Sequence, residues 1–208
     1  MVYEDLFRKL SRELMRNLSE VISVTKQDLG NPDNKFTRNL LPNSLCDFYT
    51  IFSYLAFDWE ARELSVDGEK LHGRINILKA EQVLGDWEGI VYFKNISHYE
   101  SIEKFKVVDF FADEACVGFI SDDRSLDYLE YLDFGETETQ PLGLTFEGYY
   151  ELMMMARGFW YWQRVILNLR NGKGYENNVE QFKIYMPQIF PDFKWEDFVA
   201  LYDRVKIK

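Results

Sequence analysis

The spacing of apolar residues changes along this chain, and each change marks an element. Over residues 3–24, Leu6, Leu10, Leu14, Leu18 and Ile22 recur every four positions, with Phe7 and Val21 flanking the same stripe. A period near 3.6 puts them on one face, so the pattern predicts an amphipathic helix. Gly30, Asn31, Pro32 and Asp33 then mark a loop. Leu41-Pro42-Asn43-Ser44 reads as a helix entry with Asn43 or Ser44 as N-cap, and Leu45, Phe48, Tyr49, Phe52 and Leu55 line one side of the helix it opens. Asp67-Gly68, between 63–66 and 70–71, has the chemistry of a tight hairpin turn. Residues 74–78 read as a strand, 80–84 as a short helix with Trp87 directly behind it, and 88–93 as a further candidate strand.

Three strands are expected at 105–111, 116–121 and 126–132. In the first, Phe105, Val107 and Phe111 point one way and Val108 and Phe110 the other. A strand apolar on both faces is covered on both. Thr145 then caps a helix that opens with Phe146-Glu147 and runs apolar through Leu169, where Asn171-Gly172-Lys173-Gly174 stops it. Two shorter helices, about 178–186 and 195–204, complete the pattern. The order of elements predicts one α+β domain with a helical tail.

Composition narrows the picture. With 208 residues, 47% hydrophobic and 17% aromatic, the chain is long enough to bury a core. No run approaches 18 apolar residues, and charges interrupt the N-terminal stretch MVYEDLFRKLSREL, so neither a membrane span nor a secretory signal is expected. Cys46 and Cys116 stand alone in apolar surroundings and read as buried free thiols, which fits a cytoplasmic protein. A pI of about 4.7 argues against a nucleic-acid partner, because phosphate binding needs clustered Lys and Arg.

Charge is localised. Between Asp113 and Glu138 lie nine acids (Asp113, Glu114, Asp122, Asp123, Asp127, Glu130, Asp133, Glu136 and Glu138) against one base, Arg124. The rest of the chain is close to balance, with 26 acids against 23 bases. A solvated face is the plain explanation; a docking surface for a protein with a basic face is the functional one. Tyr128, Tyr131 and Phe134 lie among the acids, where aromatics supply anchors and acids supply register. The candidate protein-binding residues are therefore Asp122, Asp123, Asp127, Tyr128, Glu130, Asp133, Glu136 and Glu138.

Catalytic and metal signals are weak. His72 and His98 are the only histidines, and no HExxH, GxSxG, CxxC, GxGxxG or GxxxxGK[ST] occurs. Among 35 acids some pair always suggests acid–base work, but solvated carboxylates are the commoner case. Asp122, Asp123 and Asp127 carry oxygen ligands, yet the calcium-loop pattern fails at its glycine and closing glutamate. No cofactor and no metal are expected. Met153-Met154-Met155 and Phe159-Trp160-Tyr161-Trp162 spread around most of their helix, reading first as core and second as an adaptable partner surface.

Several pieces, taken in order, resemble the SUKH superfamily, the Smi/Knr-like fungal cell-wall-synthesis regulators and bacterial toxin-immunity proteins. Leu41-Pro42 followed by Phe48-Tyr49 is similar to the family's first helix. Residues 77–83 with Trp87 resemble its strand, short helix and tryptophan. Phe110-Phe111-Ala112-Asp113-Glu114 with Val117-Gly118-Phe119 resembles its strand, acidic turn and strand, and Thr145-Phe146-Glu147-Gly148-Tyr149 its closing helix. The family's glycines after the first helix and in the acidic turn are absent; Ser53-Tyr54-Leu55-Ala56 and 112–116 stand there. The resemblance covers roughly 36–156, between an N-terminal helix and loop at 1–35 and a helical extension at 157–208. It implies a mixed, mainly antiparallel sheet packed by helices, and a non-catalytic protein-binding module: an immunity protein occluding a cognate toxin, alternatively a scaffold of the cell-wall (glucan) synthesis regulator type, with an uncharacterised enzyme as third reading. Trp87, Phe110, Phe119, Phe146 and Trp160 are the expected core anchors.

Overall fold

The computed structural model describes residues 2–17, 21–32, 40–94, 102–121 and 128–207. It is an α+β fold. Helix α1 (Val2–Arg12) continues as a π-helical turn, Glu13–Asn17, and the chain then enters strand β1 (Ile22–Leu29). The helix predicted over 3–24 is thus shorter than its leucine stripe, and Ile22 is a buried strand residue. Val21, Ile22, Val24 and Thr25 are β-branched and pack better on a pleated surface than on a helix.

Helix α2 (Asn43–Tyr49) begins after Pro42 without any side-chain cap, so the expected Asn43 or Ser44 cap is absent. It also ends before Phe52, and Leu55 opens strand β2 (Leu55–Val66) instead of continuing the helical face. The hairpin turn is where expected: Asp67 (φ 53°) and Gly68 (φ 87°) are both left-handed and lead into β3 (Glu69–Ile77). Then come α3 (Ala80–Val83), β4 (Phe105–Asp109), β5 (Ala115–Ile120), β6 (Glu130–Asp133) and β7 (Gln140–Pro141). Residues 88–93 form a turn with one bridge, Glu88 to Tyr92, and no strand. Among the described residues seven strands lie in the sheet in chain order, and β3 to β7 pair antiparallel.

The predicted helix over 145–169 is two helices, α4 (Phe146–Ala156) and α5 (Trp162–Asn171). Arg157 (φ 54°), Gly158 (φ 66°) and Tyr161 (φ 56°) reverse the backbone between them. A β-carbon on Gly158 would sit 2.7 Å from Ile75 Cγ1 and 2.9 Å from the Arg74 carbonyl oxygen, so only glycine fits. Trp59 Nε1 donates to the Arg157 carbonyl at 2.6 Å, and the Arg74 amide to Gly158 O at 2.8 Å, which gives this buried, non-helical backbone its partners. Gly172 ends α5 in a left-handed cap, as its sequence predicts. Helices α6 (Glu176–Ile189) and α7 (Trp195–Val205) close the order.

The chain forms two compact units. The first joins residues 1–28, 56–75 and 148–206 around Phe57, Trp59, Tyr149, Trp162, Phe182, Phe190 and Phe198, all essentially buried. Trp59 meets Phe190 edge-on at 5.2 Å, and Phe182 lies 4.9 Å from Phe198. Trp160, expected in the core, is only partly buried, its ring 4.9 Å from His72. The second unit takes in 29–55, 76–147 and the last two residues. One of its clusters packs Trp87, Tyr92, Ile102, Phe105, Val107, Cys116 and Leu132; another sets Phe48 5.3 Å from Phe146. Trp87, Phe119 and Phe146 are buried there, while Phe110 is partly exposed on the cluster's border. Both cysteines are free and buried, and burial, then Asp109 and Asp133, raises the Cys116 thiol well above its usual value.

Candidate functional site

The acidic residues of the second unit are sorted by the β5–β6 hairpin. Its register sets Ala115 opposite Asp133 and Gly118 opposite Glu130. Asp133 therefore stands at the end of the hairpin where the β4–β5 turn carries Asp113 and Glu114. The Phe134 amide donates to the Glu114 carbonyl at 2.7 Å and fastens that turn to the next. Gly135 (φ 96°) then reverses the chain, and Glu136 and Glu138 lie in the β6–β7 turn beyond it. Asp113, Glu114, Glu136 and Glu138 are exposed. Five acids thus meet at one edge of the sheet, and the side chains of Glu136 and Glu138 have no ion-pair partner among the described residues.

Not every acid of the strip lies on that edge. Successive strand residues point to opposite faces, so Glu130 faces away from Asp133. Glu130 and Tyr128 are half-buried toward the other end of the hairpin. Tyr131, between Glu130 and Asp133, is buried 6.2 Å from Phe111, and its hydroxyl donates to Asp133 Oδ1 at 2.6 Å, fixing that carboxylate. Asp122, Asp123 and Asp127 lie outside the described residues.

Beside the acidic edge runs a line of rings. Trp87 stacks on Phe110 at 6.2 Å, and Phe110 lies 5.8 Å from Phe134. Trp87 is anchored from below, its Nε1 donating to Val83 O at 3.4 Å. Phe110 and Phe134 are only partly covered, and Ile90 and Phe93, on the turn that carries Trp87, are 50% and 46% exposed. The same turn is held by Asp86, whose carboxylate accepts from the Tyr92 hydroxyl at 2.5 Å and from the Glu88 amide at 3.0 Å. Those bonds, with Lys94 and Lys106 nearby, hold the Asp86 carboxyl below its usual range. Fixed turns, partly covered rings and the unpaired carboxylates of Glu136 and Glu138 suit recognition of another surface.

Little else points to reaction chemistry. Among the described residues no three of His, Cys, Asp and Glu group as a metal would need. His72 Nδ1 lies 3.2 Å from the Lys70 carbonyl, and His98 lies outside the described residues. Burial raises the Asp58 carboxyl, against the opposing pull of Arg74, Lys26 and His72, but its near partner is Arg74 at 3.7 Å, a cross-strand contact.

In the first unit one feature escapes sequence reasoning. A cleft of about 320 Å³ is walled by Leu6, Leu10, Met154, Met155, Phe193 and Leu201, with Arg157 in its lining. Arg157 Nε and Nη2 donate to Glu13 Oε1, Nη2 also to Asp192 Oδ2 at 2.8 Å, and Nη1 to the Met155 carbonyl. The signal in the sequence is a single arginine inside the apolar run 152–162, with glycine directly after it. Among the described residues no helix is long and apolar enough to cross a membrane. No family model, no curated protein and no solved structure matches this chain.

Proposed function

We propose that the chain is a non-catalytic protein-binding module that docks a basic partner at the acidic edge of its second unit. The supporting observation is the convergence of Asp113, Glu114, Asp133, Glu136 and Glu138 beside the partly exposed rings of Phe110 and Phe134. Acids of one sign on an edge steer a cationic partner, and rings at the centre supply contact area with little entropy to lose. Within that class, the resemblance to SUKH proteins in 36–156 favours an immunity protein that neutralises a toxin by covering it. The partner is then encoded beside this chain, in a protein that carries a toxin domain and a Lys/Arg-rich surface.

The test is association kinetics with that neighbouring product at rising ionic strength. Three forms are compared: wild type, Glu136→Lys with Glu138→Lys, and Asp122→Lys with Asp123→Lys and Asp127→Lys. Reversal at the docking edge should slow association by about tenfold or more at low salt, and the difference should shrink as salt screens charges beyond about 8–10 Å. A larger loss from the 136/138 pair than from the 122/123/127 set places the partner on the ring-lined edge. Equal rates for all three forms, insensitive to salt, refute the proposal.

A further inference from the structure

The geometry points to the cleft of the first unit as a binding site for an apolar carboxylate, with Arg157 receiving the carboxylate and Asp192 occupying that place in its absence. The cleft's volume, about 320 Å³, falls at the lower end of the range typical of small-molecule sites. Its walls supply apolar contact through Leu6, Leu10, Met154, Met155 and Leu201, and methionine side chains adapt to irregular ligands.

The cation is preorganised. The Arg157 side chain is 6% exposed, its guanidinium carbon lies 4.6 Å from the centre of the Phe190 ring, and Glu13 and the Met155 carbonyl take three of its donated bonds. None of those holds depends on Asp192. Of five guanidinium N–H groups four are used, which leaves one on Nη1. The left-handed backbone at Arg157 (φ 54°) is a conformation that side chains other than glycine adopt at a cost, and such strain gathers where a group must be held in place.

The Asp192 carboxylate is the exchangeable member. It is 62% exposed, sits between α6 and α7, and makes one contact with Arg157. A ligand carboxylate that replaces it on Nη2 and takes the remaining Nη1 N–H makes two hydrogen bonds where Asp192 makes one, and the displaced Asp192 carboxylate, already 62% exposed, is left to solvent. Lys9, in the same lining, has no ion pair among the described residues and offsets Asp197, a further lining residue, whereas Arg204 is already matched by Glu151 at 2.5 Å. The head group occurs on a free organic acid and on the C-terminus of an apolar peptide, and both fit this chemistry.

Calorimetric titration of the whole chain with octanoate, octanol and a tetrapeptide ending in Leu-Leu, free or amidated, tests it. Octanoate or the free-acid peptide should bind, and octanol and the amide should bind more weakly by about tenfold, the scale of one charged hydrogen bond. Whichever acid binds tighter identifies the source. Asp192→Asn removes the competitor and should tighten binding about two- to fivefold. Leu201→Trp fills the cleft without touching the ion pairs and should abolish binding in a chain whose circular dichroism is unchanged. Binding that ignores Leu201→Trp, octanol as good as octanoate, or neither acid binding, overturns the assignment.

Discussion

Arg157 and the acidic edge put charge in opposite circumstances. In the first unit a guanidinium is nine-tenths buried and matched by Glu13 and Asp192. In the second, carboxylates of one sign crowd two turns, and Glu136 and Glu138 have no counter-ion among the described residues. A buried charge is tolerable only when paired, so the first arrangement binds the π-helical turn after α1 to the α4–α5 reversal and the α6–α7 loop. An exposed cluster contributes little to folding and projects a field into solvent. The first charge is held in place by the fold; the second group projects into solvent, where a partner protein can reach it.

Breaking the buried side of this comparison should give the largest effect. Arg157→Met leaves Glu13, itself 16% exposed, without its cation and should destabilise by about 3–5 kcal/mol in chemical denaturation. Adding Glu13→Gln should restore part of that loss, and a strictly additive double mutant would mean the two side chains do not interact. Trp87→Ala, in the other unit, should cost about 3 kcal/mol, because a ring that is 9% exposed leaves a cavity under Phe110. Unchanged stability would mean that Trp87 does not support the ring line.

Two aspartates sharpen the contrast through pH. Burial raises Asp58 in the first unit, so its ionised form is disfavoured in the folded chain. Its stabilising contribution is present below the unfolded pKa and is lost as pH rises through the folded one, so Asp58→Asn should raise stability at neutral pH and not in acid. Asp86 is shifted down, chiefly by the Tyr92 hydroxyl, so its contribution is present above the unfolded pKa and disappears as pH falls through the folded one. Asp86→Asn should therefore lower stability at neutral pH only. Thermal melts across pH 3–8 check both signs. Smallest of all, Glu136→Lys with Glu138→Lys should shift folding stability by no more than about 0.5 kcal/mol.

Much of the local structure is legible in the sequence. Asp67-Gly68, the strands around 105–109 and 115–120, Gly172 and the last two helices all lie where turn chemistry and apolar spacing put them. Non-local demands account for the misses. The leucine spacing through Ile22 is helical, but residue 22 takes its burial from the sheet. The apolar run 146–169 gives no sign that Trp59, almost a hundred residues away, needs the Arg157 carbonyl. For the candidate site, the acids are visible as composition, but their grouping depends on the hairpin register that sends Glu130 and Asp133 to opposite faces. Phe110 reads as core from its apolar neighbours, and only packing shows that it is partly exposed at the border of its cluster.

The most direct measurement of the docking claim is parallel affinity capture, read by quantitative mass spectrometry, from cells that express the neighbouring gene product. Immobilised wild type is set against a chain carrying Phe134→Ala, Glu136→Lys and Glu138→Lys, each at low and high salt. The account predicts one basic protein, the neighbouring product, enriched on wild type at low salt, reduced at high salt, and absent from a variant that is still folded by circular dichroism. Equal capture by both chains, or capture that salt does not weaken, would contradict it.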